Sequence, residues 1–352
     1  MKIAQVAPLY EAVPPRFYGG TERVVAHLTD ALVELGHEVT LFASAEAVTK
    51  ARLVPVRDQA IRLDPAPLKS DLAAHLSQLA EVRRRADQFD VIHFHTDIMH
   101  FPFFDSRPRS TVTTLHGRLD LKDLAGVYQR WPQFPLVSIS DDQRRPLPFA
   151  NWAATVQHGV AAGLYGFSSE SRGYLAFLGR ISPEKRPDRA IAIAKATGKR
   201  LKIAAKVDAA DRTYFEEEIE PLLGHPLIEF IGEIGDEAKS AFLGGAEALL
   251  FPIDWPEPFG LVMIEAMACG TPVIAYACGS VPEVVEEGLT GFIVRDHAEA
   301  VAAVGRLPSL DRQAVRRRFQ ERFSATAMAA RYVELYERLA VPREAKLGLA
   351  AE

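Results

Sequence analysis

The chain has 352 residues, of which 48% are hydrophobic and 25% are charged, as is usual for a soluble globular protein. At roughly 150 residues per domain, this length predicts about two domains. Lys and Arg number 41 against 46 Asp and Glu, and a net charge of −5 argues against a protein that binds nucleic acid over its whole surface. The two cysteines, Cys269 and Cys278, form no disulfide framework and fit a reducing compartment.

The N-terminal segment does not have the pattern of a signal peptide, because its short apolar run is interrupted at Pro8. No stretch approaches the roughly 18 apolar residues of a membrane span. We therefore predict a cytoplasmic protein, and peripheral association with the inner face of the membrane stays open.

Apolar runs alternate with amphipathic segments through the first half of the chain. A helix is predicted to open at Thr21 and to end at Gly36, and another covers residues 71–87. Strands are predicted at residues 2–7, 37–44, 90–95, 110–115, 136–139 and 155–157. This alternation favours right-handed crossovers and a mostly parallel sheet.

The same alternation begins again near residue 174. Strands are predicted at residues 174–178, 201–205, 228–231, 248–251 and 273–276, with a helix over 188–197. We therefore predict two doubly wound domains, residues 1–163 and 173–323, joined by a linker at 163–172. A last helix is predicted at 324–345. Because ligands of such sheets bind beyond the carboxyl ends of the strands, the loops there are the candidate sites.

The most informative segment follows the apolar run that ends near Phe251. It reads Glu-Pro-Phe-Gly-Leu-Val-Met-Ile-Glu from Glu257 to Glu265 and continues with Gly-Thr-Pro at residues 270–272. The predicted helix start offers unpaired backbone N–H groups and the positive end of a dipole, which suit an anion. The two carboxylates suit hydroxyl groups instead, such as those of a sugar and a ribose.

This segment, together with Gly-Ser-Val-Pro-Glu at residues 279–283, resembles the family 4 retaining glycosyltransferases over nearly the whole chain. The resemblance implies a GT-B fold, in which two Rossmann-like doubly wound domains face a cleft, with the last helix returning to the first domain. It also implies that Glu257 lies beside the donor sugar and that Glu265 holds the ribose hydroxyls. The backbone amides that would approach the sugar and the diphosphate are those of Phe259, Gly260 and Leu261.

A second motif, Gly-Arg-Ile-Ser-Pro-Glu-Lys, runs from residue 179 to residue 185 after a predicted strand. Arg180 and Lys185 can clamp a diphosphate and stabilise the charge of that leaving group without a metal ion. The resemblance assigns both residues this role. The family commonly has glycine after the lysine, whereas Arg186 and Pro187 follow here, so the loop departs from the pattern.

A third motif, Tyr18-Gly19-Gly20-Thr21-Glu22, follows the first predicted strand. Its glycines let the backbone approach a ligand closely. The Gly-x-Gly-x-x-Gly fingerprint of dinucleotide-binding proteins is absent, which argues against an oxidoreductase. The resemblance makes Gly19 and Gly20 the floor of the cleft near the diphosphate and the acceptor, and a simple tight turn is the structural alternative.

Histidines cluster in the first half of the chain. His116 follows the strand at 110–115 and can bond a sugar hydroxyl, and the resemblance associates it with the donor sugar. His93 and His95 share one face of a strand, but they and His100 lack the companion ligands of a recognisable zinc site, so we predict no metal. His158 stands where the family often has asparagine.

Five arginines between residues 312 and 322 predict a basic helix. A solvated helix face is one interpretation of this cluster. Contact with an anionic membrane or with an acceptor is the other.

These features predict a metal-independent retaining glycosyltransferase without a cofactor. Its donor would be a nucleotide-diphosphate sugar, with UDP- or GDP-sugars favoured, and its acceptor a glycan, lipid or small molecule. The candidate catalytic residues are Glu257, His116, Arg180 and Lys185. Two alternatives stay open: another GT-B enzyme such as a nucleotide-sugar epimerase or phosphorylase, and a non-catalytic module that binds sugar nucleotides.

Overall fold

The computed structural model describes residues 1–16 and 19–339. The backbone forms two compact units, Met1–Gly159 with residues 325–339, and Val160–Ser324. The chain enters the second unit at Val160, so residues 163–172 lie within that unit, where Tyr165 is fully buried. Of the helix predicted at 324–345, residues 340–345 lie outside the described residues, as does Tyr18 of the glycine motif.

The first unit is built on a seven-stranded parallel sheet in the order β3-β2-β1-β4-β5-β6-β7. Its strands are β1 Lys2–Val6, β2 Glu38–Ser44, β3 Arg52–Arg57, β4 Val91–Phe94, β5 Thr111–Thr114, β6 Leu136–Ser138 and β7 Trp152–Thr155. Its helices are α1 Gly20–Glu34, α2 Asp71–Arg84, α3 Phe101–Phe104, α4 Leu124–Arg130 and, after the second unit, α13 Ala325–Leu339.

The second unit holds a six-stranded parallel sheet in the order β10-β9-β8-β11-β12-β13. Its strands are β8 Tyr174–Arg180, β9 Arg200–Lys206, β10 Ile228–Gly232, β11 Ala246–Phe251, β12 Val273–Tyr276 and β13 Gly291–Val294. Its helices are α5 Pro187–Thr197, α6 Arg212–Tyr214, α7 Glu220–Leu223, α8 Asp236–Gly244, α9 Leu261–Ala268, α10 Val281–Val284, α11 His297–Arg306 and α12 Arg312–Phe323.

Both sheets have the strand order of a Rossmann-type domain, which reverses beside the first strand. The reversal falls between β1 and β4 in the first unit and between β8 and β11 in the second. Helices that diverge at this point leave a crevice at the carboxyl ends of the two strands. The loops that follow β1, β4, β8 and β11 are therefore the places where each unit can hold a ligand.

The sequence pattern missed both short edge strands, β3 and β13, and shifted β7 toward the C-terminus. β3 is partly exposed along most of its length, so its apolar residues do not form a continuous run. β13, in contrast, is mostly buried, but it is only four residues long. β3 also contains Pro55, which an edge strand tolerates because one side of its backbone needs no partner. Helix α1 begins at Gly20 rather than at Thr21, since the carbonyl of Gly19 already accepts the first helical hydrogen bond, from Arg23.

Helix α13 is part of the core of the first unit and packs against α1. Met328, Tyr332 and Tyr336 are buried on its inner face. The Tyr336 hydroxyl accepts a hydrogen bond from Gln5 Nε2 of β1 at 3.1 Å and lies 2.7 Å from His93 Nδ1 of β4. The last described helix is thus joined by polar contacts to the two strands where the sheet order reverses.

Replacement of Tyr336 by phenylalanine should destabilise the protein by about 1–3 kcal/mol, because Gln5 and His93 would each lose a buried hydrogen-bond partner. Urea unfolding of Tyr336→Phe measures this loss. Tyr128→Phe is the matched control, because that ring packs in the apolar core of the same unit, and its loss should be smaller. Equal losses for the two variants would contradict the structural role given to the Tyr336 hydroxyl.

Candidate active site

Two of the predicted site residues of the second unit, Lys185 and Glu257, are in contact beyond the carboxyl ends of β8 and β11. Lys185, in the loop after β8, forms an ion pair with Glu257, in the loop after β11. Trp255 Nε1 donates to the same Glu257 oxygen at 3.0 Å, and the Lys185 ammonium lies 5.3 Å from the centroid of the Trp255 ring. Both charged side chains are mostly buried, so this contact holds two chemically active groups in fixed positions.

Glu265 lies on α9, the helix that follows this loop, and only 2% of its side chain is exposed. Its Oε1 accepts a hydrogen bond from the Tyr165 hydroxyl at 2.8 Å and lies 3.3 Å from Lys239 Nζ. Its Oε2 is buried and has no hydrogen-bond partner among the described residues. A buried carboxylate with one unsatisfied oxygen is suited to accept a hydrogen bond from a hydroxyl group.

Arg180, at the end of β8, is surrounded by carboxylates. Its guanidinium lies 3.0 Å from Glu184, 3.5 Å from Asp208 and 3.6 Å from Asp211. The two cations predicted to clamp a diphosphate are thus both paired with acidic side chains, Arg180 with these three and Lys185 with Glu257.

Arg186 explains the departure from the family pattern after the lysine. Its φ of 52° lies in the left-handed region, which glycine adopts readily and a side chain adopts at a cost. The arginine offsets this cost with a two-pronged contact to Asp188 and a hydrogen bond to Asp254 at 2.7 Å. These contacts raise the pKa of Arg186 above its ordinary value, the hydrogen bond to Asp188 being the largest cause.

A cavity of about 330 Å³ lies beside this loop. Its lining includes Arg186, Asp188, Asp254, Tyr214 and Glu218. None of the residues predicted as catalytic or donor-binding lines it.

The loop that carries Glu257 is fixed by residues 279–283, which form part of the segment that carries the family resemblance. Ser280 N donates to the Glu257 carbonyl at 3.0 Å, and Ser280 Oγ donates to the Phe259 carbonyl at 2.7 Å. Gly279 has a φ of 57°, and a Cβ atom on it would lie 2.4 Å from the Glu257 nitrogen. Only glycine fits where these two backbone segments meet. Gly260 and Leu261 then begin α9, with Gly260 as the N-cap residue.

In the first unit, Gly19 and Gly20 begin α1 after the loop that follows β1. A Cβ atom on Gly19 would lie 2.7 Å from Pro15 Cβ, so the backbone packs closely against its own loop. Packing against Pro15 is therefore sufficient to explain the glycine at position 19, without a role in ligand binding.

His116 follows β5 and takes part in a cluster of imidazoles. Its Nε2 lies 2.9 Å from His95 Nδ1, and its ring stacks on that of His158 with centroids 5.1 Å apart. Burial lowers the pKa of His116 to about 3, so the ring is neutral. Its Nδ1 is buried and has no hydrogen-bond partner within the described part of the chain. His158, where the family often has asparagine, thus forms one wall of this cluster.

His93 and His95 do share one strand face, with ring centroids 4.0 Å apart, whereas His100 bonds Thr113 and stacks on Phe94. No group of three or more His, Cys, Asp or Glu side chains within residues 1–16 and 19–339 has the arrangement of a metal site.

Four of the arginines near the C-terminus hold the second unit together. Arg312 and Arg316 donate to several backbone carbonyls at helix and strand ends, and Arg318 and Arg322 both pair with Glu286. The interpretation of a solvated face does not hold for Arg312 and Arg316, because internal backbone acceptors hold both side chains. As for membrane crossing, the described part of the chain includes no helix with the necessary length and apolar character.

Sequence reasoning missed Tyr165, Lys239 and Trp255, which hold the two glutamates. Tyr165 falls in the segment expected to be a linker, and Lys239 lies on α8, which the apolar pattern did not reveal. The contacts of Tyr165 and Lys239 with Glu265 join segments distant in sequence, so no local signal marked these two residues. Trp255 lies only two residues before Glu257, so its neighbourhood could have been noticed in the sequence.

Comparison with known proteins gives the family. A family model described as Glycosyltransferase Family 4 matches residues 18–212, more than half of the chain. The chain belongs to glycosyltransferase family 4. A second model, Glycosyl transferases group 1, matches residues 167–323, so the two matches together extend through most of both units.

Curated relatives of this family 4 chain include D-inositol 3-phosphate glycosyltransferases from Mycobacterium tuberculosis and Mycobacterium bovis. These are 34% identical over 172 residues, which is 43% of this chain and 33% of each relative. The match therefore spans about a third of the length of these relatives.

Solved structures support the fold over nearly the full length. AviGT4, a glycosyltransferase involved in avilamycin A biosynthesis, has a TM-score of 0.74 at 27% identity, with 97% of this chain and 98% of that one covered. Sucrose-phosphate synthase from Thermosynechococcus elongatus has a TM-score of 0.76 at 21% identity (96% and 99% covered). HepE from Anabaena, solved with UDP-glucose, has a TM-score of 0.70 at 17% identity (96% and 100% covered). The predicted fold class, two Rossmann-like domains of the GT-B type, is confirmed.

Substitution of Gly279 by alanine should displace the Glu257 loop, since the added Cβ cannot coexist with the Glu257 backbone. We expect a loss of stability of about 2–4 kcal/mol in thermal or urea unfolding, from the clash and the positive φ together. Gly288→Ala is the matched control, because Gly288 also has a positive φ of 72° but no atom within 4 Å of the added Cβ. A Gly279→Ala variant no less stable than Gly288→Ala would disprove this packing argument.

Proposed function

We propose that the protein is a retaining glycosyltransferase that transfers a sugar from a nucleotide-diphosphate sugar to a hydroxyl-bearing acceptor without a metal ion. Family membership supports transfer of a glycosyl group. Two observations carry the proposal: Lys185 contacts Glu257, and the buried Glu265, on the helix that follows the Glu257 loop, has one oxygen without a partner among the described residues. This arrangement offers a cation for a diphosphate and two carboxylates for hydroxyls within one unit.

Donor binding is proposed to exchange the partners of these charges. When a diphosphate enters, Lys185 leaves Glu257 and contacts the phosphate oxygens. Glu257 is then available to accept a hydrogen bond from a hydroxyl of the sugar. Arg180 would release at least one of its three carboxylates in the same step. Because each cation already has a partner, the empty site carries no uncompensated buried positive charge.

Glu265 is proposed to bind the ribose. Its unsatisfied Oε2 can accept from a ribose hydroxyl while Tyr165 and Lys239 continue to hold Oε1. The amides of Phe259, Gly260 and Leu261, at the start of α9, are proposed to face the sugar and the diphosphate, where the helix dipole favours negative charge.

In the first unit, His116 is proposed to contact a hydroxyl of the transferred sugar. Gly19 and Gly20 are proposed to lie near the diphosphate and the acceptor, since they follow β1 at the point where the sheet order reverses.

The proposed chemistry is a front-side substitution at the anomeric carbon. The acceptor oxygen forms a bond to that carbon on the face from which the phosphate oxygen departs, and the acceptor proton passes to the departing phosphate oxygen. Glu257 positions the sugar and forms no covalent bond. Arg180 and Lys185 stabilise the charge that develops on the nucleotide diphosphate.

A nucleotide-sugar epimerase or a phosphorylase would act on related substrates. A binding module would bind the sugar nucleotide and leave it unchanged. Product analysis after incubation with donor and acceptor separates these alternatives. A glycosylated acceptor supports transfer, an altered sugar nucleotide supports epimerisation, and an unchanged donor supports simple binding.

Nucleoside diphosphates should raise the melting temperature of the protein, because a ligand that binds only the folded state stabilises it. At a concentration of 100 times Kd the gain is about 2.7 kcal/mol. A thermal-shift series with UDP, GDP, ADP and CDP measures the effect. UDP is the first choice, since the similarly folded HepE was solved with it, and a series with no shift would count against the proposed donor class.

Replacement of Lys185 by alanine should reduce kcat/KM for the donor by about 10²-fold or more, the usual consequence of removing a group that stabilises developing charge. Arg180→Ala should behave similarly. Lys202→Ala is the control, because Lys202 pairs with Glu229 on the neighbouring strand and has no proposed ligand contact. Donor turnover unchanged in both Lys185→Ala and Arg180→Ala would refute the proposed diphosphate clamp.

A further inference from the structure

A continuous chain of buried hydrogen bonds leads from His116 to helix α13. His116 Nε2 lies 2.9 Å from His95 Nδ1, and His95 Nε2 lies 2.8 Å from Gln5 Oε1. Gln5 Nε2 donates to the Tyr336 hydroxyl at 3.1 Å, and that hydroxyl lies 2.7 Å from His93 Nδ1. The chain thus connects the loop after β5, strands β4 and β1, and the last described helix.

Two further contacts extend the chain. His93 Nε2 lies 2.7 Å from Thr114 Oγ1, which lies 2.7 Å from the Tyr332 hydroxyl of α13. Burial lowers the pKa values of His93 and His95 well below their ordinary range, so both rings are neutral, as His116 is. A neutral imidazole has one N–H donor and one acceptor nitrogen. If one nitrogen of a ring donates a hydrogen bond, the other nitrogen must therefore accept one.

The amide of Gln5 sets that direction. With its Nε2 donating to Tyr336, its Oε1 can only accept, so His95 must donate from Nε2. His95 Nδ1 is then an acceptor and requires the proton of His116 on Nε2. The remaining nitrogen of His116, Nδ1, is left with a lone pair. This is the buried atom that has no partner among the residues the structure describes.

We propose that His95 and Gln5 are positioning residues that fix His116 as the Nε2–H tautomer, so that its Nδ1 accepts a hydrogen bond from a hydroxyl of the substrate. This inference rests on the proposed function for the identity of that substrate. The inference limits the substrate groups that can contact His116 Nδ1 to hydrogen-bond donors, such as a sugar hydroxyl. A phosphate or carboxylate oxygen cannot serve there.

The first test measures the tautomer of His116 in the wild-type protein, with His95 and Gln5 unchanged. Two-bond ¹⁵N–¹H correlation spectra of the full-length protein labelled at histidine distinguish the two ring tautomers. The His116 signals are assigned by their disappearance in His116→Gln. We expect the Nε2–H form, and a His116 ring protonated at Nδ1 would overturn the proposal.

The second test uses His95→Asn and His95→Leu. Asparagine keeps an acceptor oxygen close to the position of Nδ1, so the His116 tautomer and most of the activity should be retained. Leucine removes the acceptor, and we expect a mixed tautomer and a fall in kcat of about tenfold, the value of one hydrogen bond. Gln5→Leu should lead to the same mixture by removing the group that orients His95.

His100→Leu is the matched control. His100 is also buried in the first unit, but it bonds Thr113 and lies outside the chain. If His95→Leu and His100→Leu changed the His116 tautomer and kcat equally, His95 would have only a structural role. If the wild-type protein turned over no nucleotide sugar, the proposed function would fail, while the tautomer spectra would still decide whether His95 orients His116.

Discussion

The reversal of strand order within each parallel sheet is the constraint on which the candidate site depends. Where the crossovers diverge, the carboxyl ends of two neighbouring strands are left uncovered by helices. The loops after β8 and β11 bring Lys185 to Glu257 across such a point. In the first unit, the loop after β1 and the strand β4 meet at the corresponding place. Lys185 and Glu257 are distant in sequence and become neighbours because β8 and β11 are adjacent strands of the sheet.

Neutralisation of charge is the second common feature of the site. Lys185, Arg180 and Lys239 each contact carboxylates. The imidazoles of His93, His95 and His116 reach neutrality differently, because burial lowers their pKa values and favours the uncharged rings. Burial thus selects ion pairs in one unit and neutral rings in the other. In both, an oxygen or nitrogen with a free lone pair remains, Glu265 Oε2 and His116 Nδ1.

Much of the fold could be predicted from the sequence, because buried parallel strands form continuous apolar runs and Gly or Pro mark their ends. The residues from Glu257 to Glu265, with those at 279–283, indicated the family through their resemblance to its members. The edge strand β3 could not be predicted in this way, since it is partly exposed and its apolar residues form no continuous run. The edge strand β13 is a buried apolar run of only four residues, too short to be assigned from its pattern. The partners Tyr165, Lys239 and Gln5 were also beyond reach, because packing between distant segments determines their contacts. Arg186 is intermediate: the departure from glycine was visible, but its left-handed backbone was not.

Helix α13 has a consequence for the order in which the protein can fold. The first unit is discontinuous in sequence, whereas the second is one unbroken segment that is synthesised before α13. During translation, the second unit can therefore complete its core while the first still lacks Tyr332 and Tyr336. Before α13 is synthesised, Gln5, His93 and Thr114 lack the hydrogen bonds that they make with Tyr336 and Tyr332. The hydrogen bonds that join strands β1, β4 and β5 to α13 are thus formed last, although these strands are synthesised first.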